Sequence, residues 1–286
     1  MPRAAPRGGP HPLSPPLRFQ VLRVSFEISV DDPATRRELR FLSQSAIQPE
    51  GPRSTVSYQV HRRDGAYEIA RNGELEDVQF EPSGVLGVLY SAVQRDALAA
   101  WPGAPVLQAL TGRRNGERFA VVGEPLRDRS RLALALLGHG VDIEGDDLAI
   151  LHDGVLTAYP RPLRVCGVDV PLPPRAGPRE TLPFVGSNIE TGSWALDIAS
   201  AGIDWRITTG GLDTVILLET NYGGQSRLAQ IPRYEMVRAL MSCCDPRANV
   251  PQAIRTVARL TDGARHCYRL WLGSLDHLGA VWPGLA

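Results

Sequence analysis

Gly123 and Ser130 bracket a short run, Glu124-Pro125-Leu126-Arg127-Asp128-Arg129, that follows an apolar stretch and precedes another. The spacing is that of a phosphate-binding loop, G-x-x-x-x-G-K-[ST]. In such a loop, backbone N–H groups and a helix N-terminus hold phosphate, a lysine neutralises charge and a hydroxyl ligates Mg²⁺. Asp128 stands at the second glycine position and Arg129 at the lysine position. Asp128 sets a carboxylate where phosphate would approach bare backbone, and two like charges at about 4 Å repel by about 4 kcal/mol at an effective dielectric of 20. Pro125 removes one backbone donor, and the planar fork of Arg129 does not reproduce a compact ammonium. Sixteen residues beyond Ser130 lie adjacent carboxylates, Asp146 and Asp147. These fit either an exposed turn at a strand end or a carboxylate pair for acid–base and metal chemistry. If they lie on a regular strand, only one of them points into a cleft. Arg161 and Arg164 fit either surface positions or bidentate contacts to a phosphate or a peptide carboxylate.

Composition removes other chemistry. All 31 basic residues are arginine, balanced by 31 acidic ones. A chain without lysine has no lysine Schiff base, no lysine general base and no lysine-bearing phosphate loop. Cys166, Cys243, Cys244 and Cys267 contain no CxxC knuckle, so buried thiols are expected rather than a zinc site or a disulfide framework. His152 belongs to turn chemistry in His-Asp-Gly, His139 lies between two glycines past a helix end, and His266 has no ligand-spaced partner. Asn221 to Ser226 reads equally as a substrate loop or a plain connection. The balanced charge gives no argument for nucleic acid or an anionic membrane as partner. No apolar run reaches the roughly 18 residues of a spanning helix, and the Pro-rich start has no signal-peptide core. A cytoplasmic location is the expectation.

Residues 1–17 read as a disordered lead-in and 18–101 as a small α+β module. In that module Phe19–Val30 alternates like one strand, and two further runs flank the Arg63-Asp64-Gly65 turn. Residues 82–100 place Val85, Leu86, Leu89, Ala92, Val93 and Leu98 at helical spacing. From 102 to 286 the order is a strand at 106–112, a turn, a strand ending at Gly123, and a loop from Glu124 to Arg129. A buried helix (131–137), a strand carrying Asp146 and Asp147, and a return strand come next. That order indicates a three-layer α/β core. Residues 171–211 read as long loops, and the segment after them as a buried strand, two helices, a last strand and a short helix.

The run from Val106 to Val165 resembles the HPr kinase/phosphorylase-like group. FAVVGEPLRDRSRLALALLGHG stands for its phosphate loop and helix, IEGDDLAIL for its paired-aspartate strand, and HDGVLTAYPRPLRV for its turn and PRPL stretch. Looser similarity extends to the N-terminal module and to RHCYRLWLGSLDHLGAVW. The resemblance implies a P-loop-kinase-like α/β core of the HPr kinase C-terminal type behind a small α+β module. It makes Ser130 the hydroxyl on the Mg²⁺ side and one of Asp146 and Asp147 the base, with the other near Mg²⁺. Gln108 falls where that family often has a histidine near the phosphates, and glutamine cannot titrate. The serine and the aspartates of the pattern remain, whereas its second glycine and lysine are replaced. The expectation is a diverged protein whose ATP phosphoryl transfer is lost or repurposed and which needs no cofactor. It would bind or modify a peptide or small metabolite, or hold a partner enzyme, in the old cleft, as relatives in peptide natural-product pathways imply. The alternative is an active kinase that uses ATP and Mg²⁺ to phosphorylate a hydroxyl.

Overall fold

A computed structural model describes residues 15–43, 46–48, 50–123, 126–161, 163–166, 180–182, 193–195, 204–245 and 249–282. The run expected as one strand from Phe19 to Val30 is two, β1 (Leu17–Val21) and β2 (Val24–Val30), paired antiparallel. The reversal occupies Leu22 and Arg23, with Leu22 at φ 54° and buried. A two-residue turn moves the inward phase from Val21 to Val24, and an apolar turn residue hides the break. After α1 (Pro33–Glu38), capped by Asp32, come β3 (Ser54–Arg63), β4 (Ala66–Arg71) and β5 (Glu74–Gln79). Asp64-Gly65 and Asn72-Gly73 join these strands with positive φ at both turn residues, the type I′ geometry of tight hairpins. α2 (Pro82–Ala99) lays Val85, Leu86, Leu89, Ala92 and Val93 into one core with Phe26, Ile28, Tyr58, Val60 and Ile69. Ile150 and Tyr159, from far along the chain, join that core.

Beyond it the expected strand at 106–112 divides into β6 (Val106–Gln108) and β7 (Leu110–Arg114), which belong to different sheets. β8 (Glu117–Val122) leads toward α3 (Leu126–Gly138). That helix starts at Leu126, so residues 126–129, expected in a loop, form its first turn. The strand expected to carry both aspartates is also two, β9 (Asp142–Gly145) and β10 (Leu148–His152), again in different sheets, with β11 (Val155–Ala158) returning. A three-stranded sheet combines β12 (Arg164–Cys166), β13 (Glu180–Leu182) and β14 (Ser193–Ala195). β15 (Thr209–Gly210) closes the order β15-β11-β10-β6.

β16 (Thr214–Thr220), β17 (Arg227–Gln230), α4 (Arg233–Ser242), α5 (Val250–Gly263), β18 (His266–Leu272) and α6 (Leu278–Val281) follow. The largest sheet has the order β17-β18-β16-β8-β7-β9, with β16 parallel to both β8 and β18. Alternation along its strands supplies two cores. Val121, Ile216, Leu218 and Leu270 pack with Leu132 and Leu136 of α3, and Leu278 of α6. Ala120, Val122, Val215 and Cys267 pack with Met236 and Leu240 of α4 and Val257 and Leu260 of α5. The protein is mixed α/β, with helices against both faces of this sheet. Among the described residues no helix is long and apolar enough to cross a membrane.

Candidate functional site

β8 runs directly into Gly123, whose φ is +86°. A Cβ there would lie 2.6 Å from the Leu218 carbonyl oxygen of β16, so only glycine fits this strand end. The first turns of α3 then bury Arg129 and Ser130 against the sheet. Asp146 and Asp147 occupy the bend where the chain leaves β9 for β10. Two backbone hydrogen bonds fix the exit from that bend: Ala109 N–H donates to the Asp147 carbonyl at 2.9 Å, and Tyr159 N–H to the Leu148 carbonyl at 2.8 Å. Arg161 follows β11 and is carried back to the same place by the β10–β11 hairpin.

These side chains form one buried network. Arg161 donates through Nη1 to Asp147 Oδ2 at 2.5 Å and through Nη2 to Asp146 Oδ1 at 3.2 Å. Its Nη1 also reaches the Tyr90 hydroxyl of α2 at 3.4 Å. Ser130 Oγ donates to the other oxygen of Asp146. Arg129 turns Nη1 to the Gly123 carbonyl at 3.0 Å, across the start of its own helix. Asp146 is fully buried, and Arg161 is 4% exposed. Burial alone would weaken the hold of Arg161 on its proton, but Asp146, Tyr90 and Asp147 reverse this and raise its pKa. Burial dominates at Arg129 and lowers its pKa, with Asp147, Cys243 and Asp146 opposing. Tyr159 beside them has its hydroxyl pushed well up by burial. Among the described side chains of the cluster, two guanidinium groups stand against two carboxylates.

The structure thus brings together Gly123, Arg129, Ser130, Asp146, Asp147 and Arg161. The two aspartates do not face opposite sides as they would on a regular strand, because the bend lets both meet one arginine. Gln108 is exposed in β6 opposite Leu148, with its N–H on the Cys243 carbonyl. The side chains of Asp128 and Arg164 lie outside the described residues, as does that of Cys166. Of the other cysteines only Cys267 is buried, and the Cys243–Cys244 pair is half-buried. Burial, Cys243 and Asp245 push the Cys244 thiol up to about 11, so little of it is thiolate near neutrality. No group of three or more His, Cys, Asp or Glu able to hold a metal occurs among the described residues. The 221–226 loop is tied down at Ser226, whose Oγ accepts from Gly273 N–H at 2.8 Å and faces His277 Nδ1 at 2.9 Å.

Sequence reasoning missed Tyr90, whose position on α2 gives no sign that α2 abuts the segment after β11. It also missed a second buried pair, Arg118 and Glu144, 2.7 Å apart. Arg118 donates further to the carbonyls of Leu156, Gly210 and Thr208 and so ties β8 and β9 to β11 and β15. In the sequence both residues look like ordinary charges near strand ends. No protein-family model matches this chain, and no curated protein matches it.

Proposed function

We propose that the chain is a diverged HPr-kinase-like protein with a P-loop-kinase-like core. In this reading ATP-driven phosphoryl transfer is lost or repurposed. The cleft around Ser130, Asp146, Asp147 and Arg161 then binds or modifies a peptide or a small metabolite. One observation carries the reading: Arg161 forks across both aspartates, beside the Ser130 hydroxyl. A Mg²⁺-nucleotide site needs that hydroxyl and a carboxylate turned to the metal, and a second carboxylate able to take a proton. Here the charges that would recruit the ion are neutralised internally. The early start of α3 at Leu126 supports the same conclusion, since it shortens the stretch that could wrap a phosphate.

Calorimetric titration with ATP and ADP, each with and without Mg²⁺, tests the reading. No saturable heat is expected up to millimolar nucleotide, and Mg²⁺-dependent micromolar binding would overturn it. The double variant Asp128→Gly/Arg129→Lys separates two causes of the loss. Partial recovery of affinity is expected if the two side chains alone block phosphate, and continued failure assigns the loss to the shape of the helix start.

The contact of Ser130 with Asp146 favours a second reading, an active kinase, because a hydroxyl and a carboxylate side by side are what a nucleotide-bound Mg²⁺ would share. On that reading, ATP and Mg²⁺ occupy the cleft, and Asp146→Asn or Asp147→Asn abolishes phosphate transfer to a peptide or metabolite hydroxyl. Transfer that survives both substitutions removes the base from this pair.

A further inference from the structure

A cavity of about 190 Å³ opens at the opposite end of the parallel strands from Gly123 and Ser130. Its floor is a row across neighbouring strands, with Phe119 of β8 opposite Thr214 of β16 and Thr214 opposite His266 of β18. Its walls are aromatic. Phe119 meets Trp282 edge-on at 5.2 Å between ring centroids, and His266 stacks on Tyr268 at 5.6 Å. Arg114, at the end of β7, lines the same space. Its Nη1 is buried with no hydrogen-bond partner among the described residues.

The other charges around the cavity are accounted for. Arg118 is held by Glu144 and three carbonyls, and Glu117 pairs with Arg265 at 3.1 Å. Among the described residues no carboxylate pairs with Arg114. Arg114 as a whole is half-buried, so an anion in the cavity meets the solvent-facing part of its guanidinium in a charge-assisted hydrogen bond. A single available guanidinium suits a monoanionic carboxylate, whereas a phosphate dianion calls for a second cation. The volume sets the size, since a protein cavity of about 150 Å³ holds a benzene ring. Small-molecule sites of about 300–1,000 Å³ are larger.

We infer that this pocket binds an aromatic ring carrying a carboxylate, either a free arylacetate or the C-terminal aromatic residue of a peptide, with Arg114 on the carboxylate and the ring against Phe119, Trp282, His266 and Tyr268. The site is independent of the nucleotide question and stands or falls separately from it.

Full-length protein is titrated with phenylacetate and with its neutral counterpart phenylacetamide. It is also titrated with a pentapeptide ending in phenylalanine, with a free or an amidated C-terminus. Tryptophan fluorescence and calorimetry report binding. At least one carboxylate is expected to saturate by millimolar concentration and its amide to bind at least tenfold more weakly. Which carboxylate saturates identifies the source. Arg114→Gln should lose a similar factor without a change in Tm. Failure of both carboxylates to saturate overturns the assignment, and so does equal binding of acid and amide. If Arg114→Gln impairs folding, the acid–amide comparison on the unaltered protein still decides.

Discussion

Arg161 carries both the chemistry and an energetic constraint of the candidate site. Its guanidinium holds Asp146 and Asp147 together inside the protein, where Asp146 has no access to water. Removing one partner of a buried ion pair leaves an uncompensated charge and costs about 3–5 kcal/mol. Arg161→Leu should therefore lower the unfolding free energy in urea by about that amount. Adding Asp146→Asn should recover part of the loss, because the more deeply buried of the two stranded carboxylates is then gone. A loss below about 1 kcal/mol would mean that water reaches the pair and that it behaves like a surface bridge. The residue types at this site were legible, since serine, paired aspartates and arginine all stand out by chemistry and spacing. Their pairing was not, because it depends on a bend after Gly145 and on the β10–β11 hairpin returning Arg161 to it.

At the scale of elements, Gly123 has a reason to be glycine that involves no phosphate. A side chain there would take a left-handed conformation costing about 1–2 kcal/mol and would meet the Leu218 carbonyl oxygen at 2.6 Å. Gly123→Ala should thus destabilise the protein by about 2 kcal/mol or more in urea, with or without nucleotide. An unchanged midpoint would show that β8 and β16 can separate at this end, as a wider phosphate loop would require. The same strand ends explain what sequence patterning reveals. The hairpin at Asp64-Gly65 was visible because its turn demands particular residues. The breaks between β1 and β2 and between β6 and β7 were not, since Leu22 and Ala109 carry the apolar pattern through each, and the break between β9 and β10 falls on Asp146 and Asp147, which read as part of one strand. α3 hid its start differently, because Leu126 to Arg129 carry loop-like charges yet supply its first turn.

Across the whole molecule, the absence of lysine makes arginine the buried cation wherever polar groups are enclosed: Arg118, Arg129 and Arg161 are each at most 5% exposed. The first core is not closed to the rest of the chain either. Ile150 and Tyr159 pack into it, and Trp101 lies against both Arg23 and His152. Neither link was legible, because Ile150 and Tyr159 satisfy ordinary strand patterns and nothing local marks the core they enter. A perturbation confined to the first core should therefore be felt throughout. Asp96 provides one. Burial alone would raise its carboxyl, but hydrogen bonds from Arg71, Tyr58 and Arg95 hold it below the ordinary range. The unfolded carboxyl takes up a proton near pH 4 (about 3.9 for aspartate) and the folded one only at lower pH. The stabilisation is thus complete above that window and disappears as the pH falls through the folded value. Relative to the unaltered protein, Asp96→Asn should be less stable at neutral pH, and the difference should shrink below about pH 4. Because β10 gives Ile150 to the first core and Ala149 and Leu151 to the core under α4 and α5, tryptophan fluorescence and far-UV circular dichroism should report one coincident unfolding transition in both proteins. Two resolved transitions, with only the first moved by Asp96→Asn, would show that Ile150 and Tyr159 do not couple the first core to the sheet that carries the candidate site.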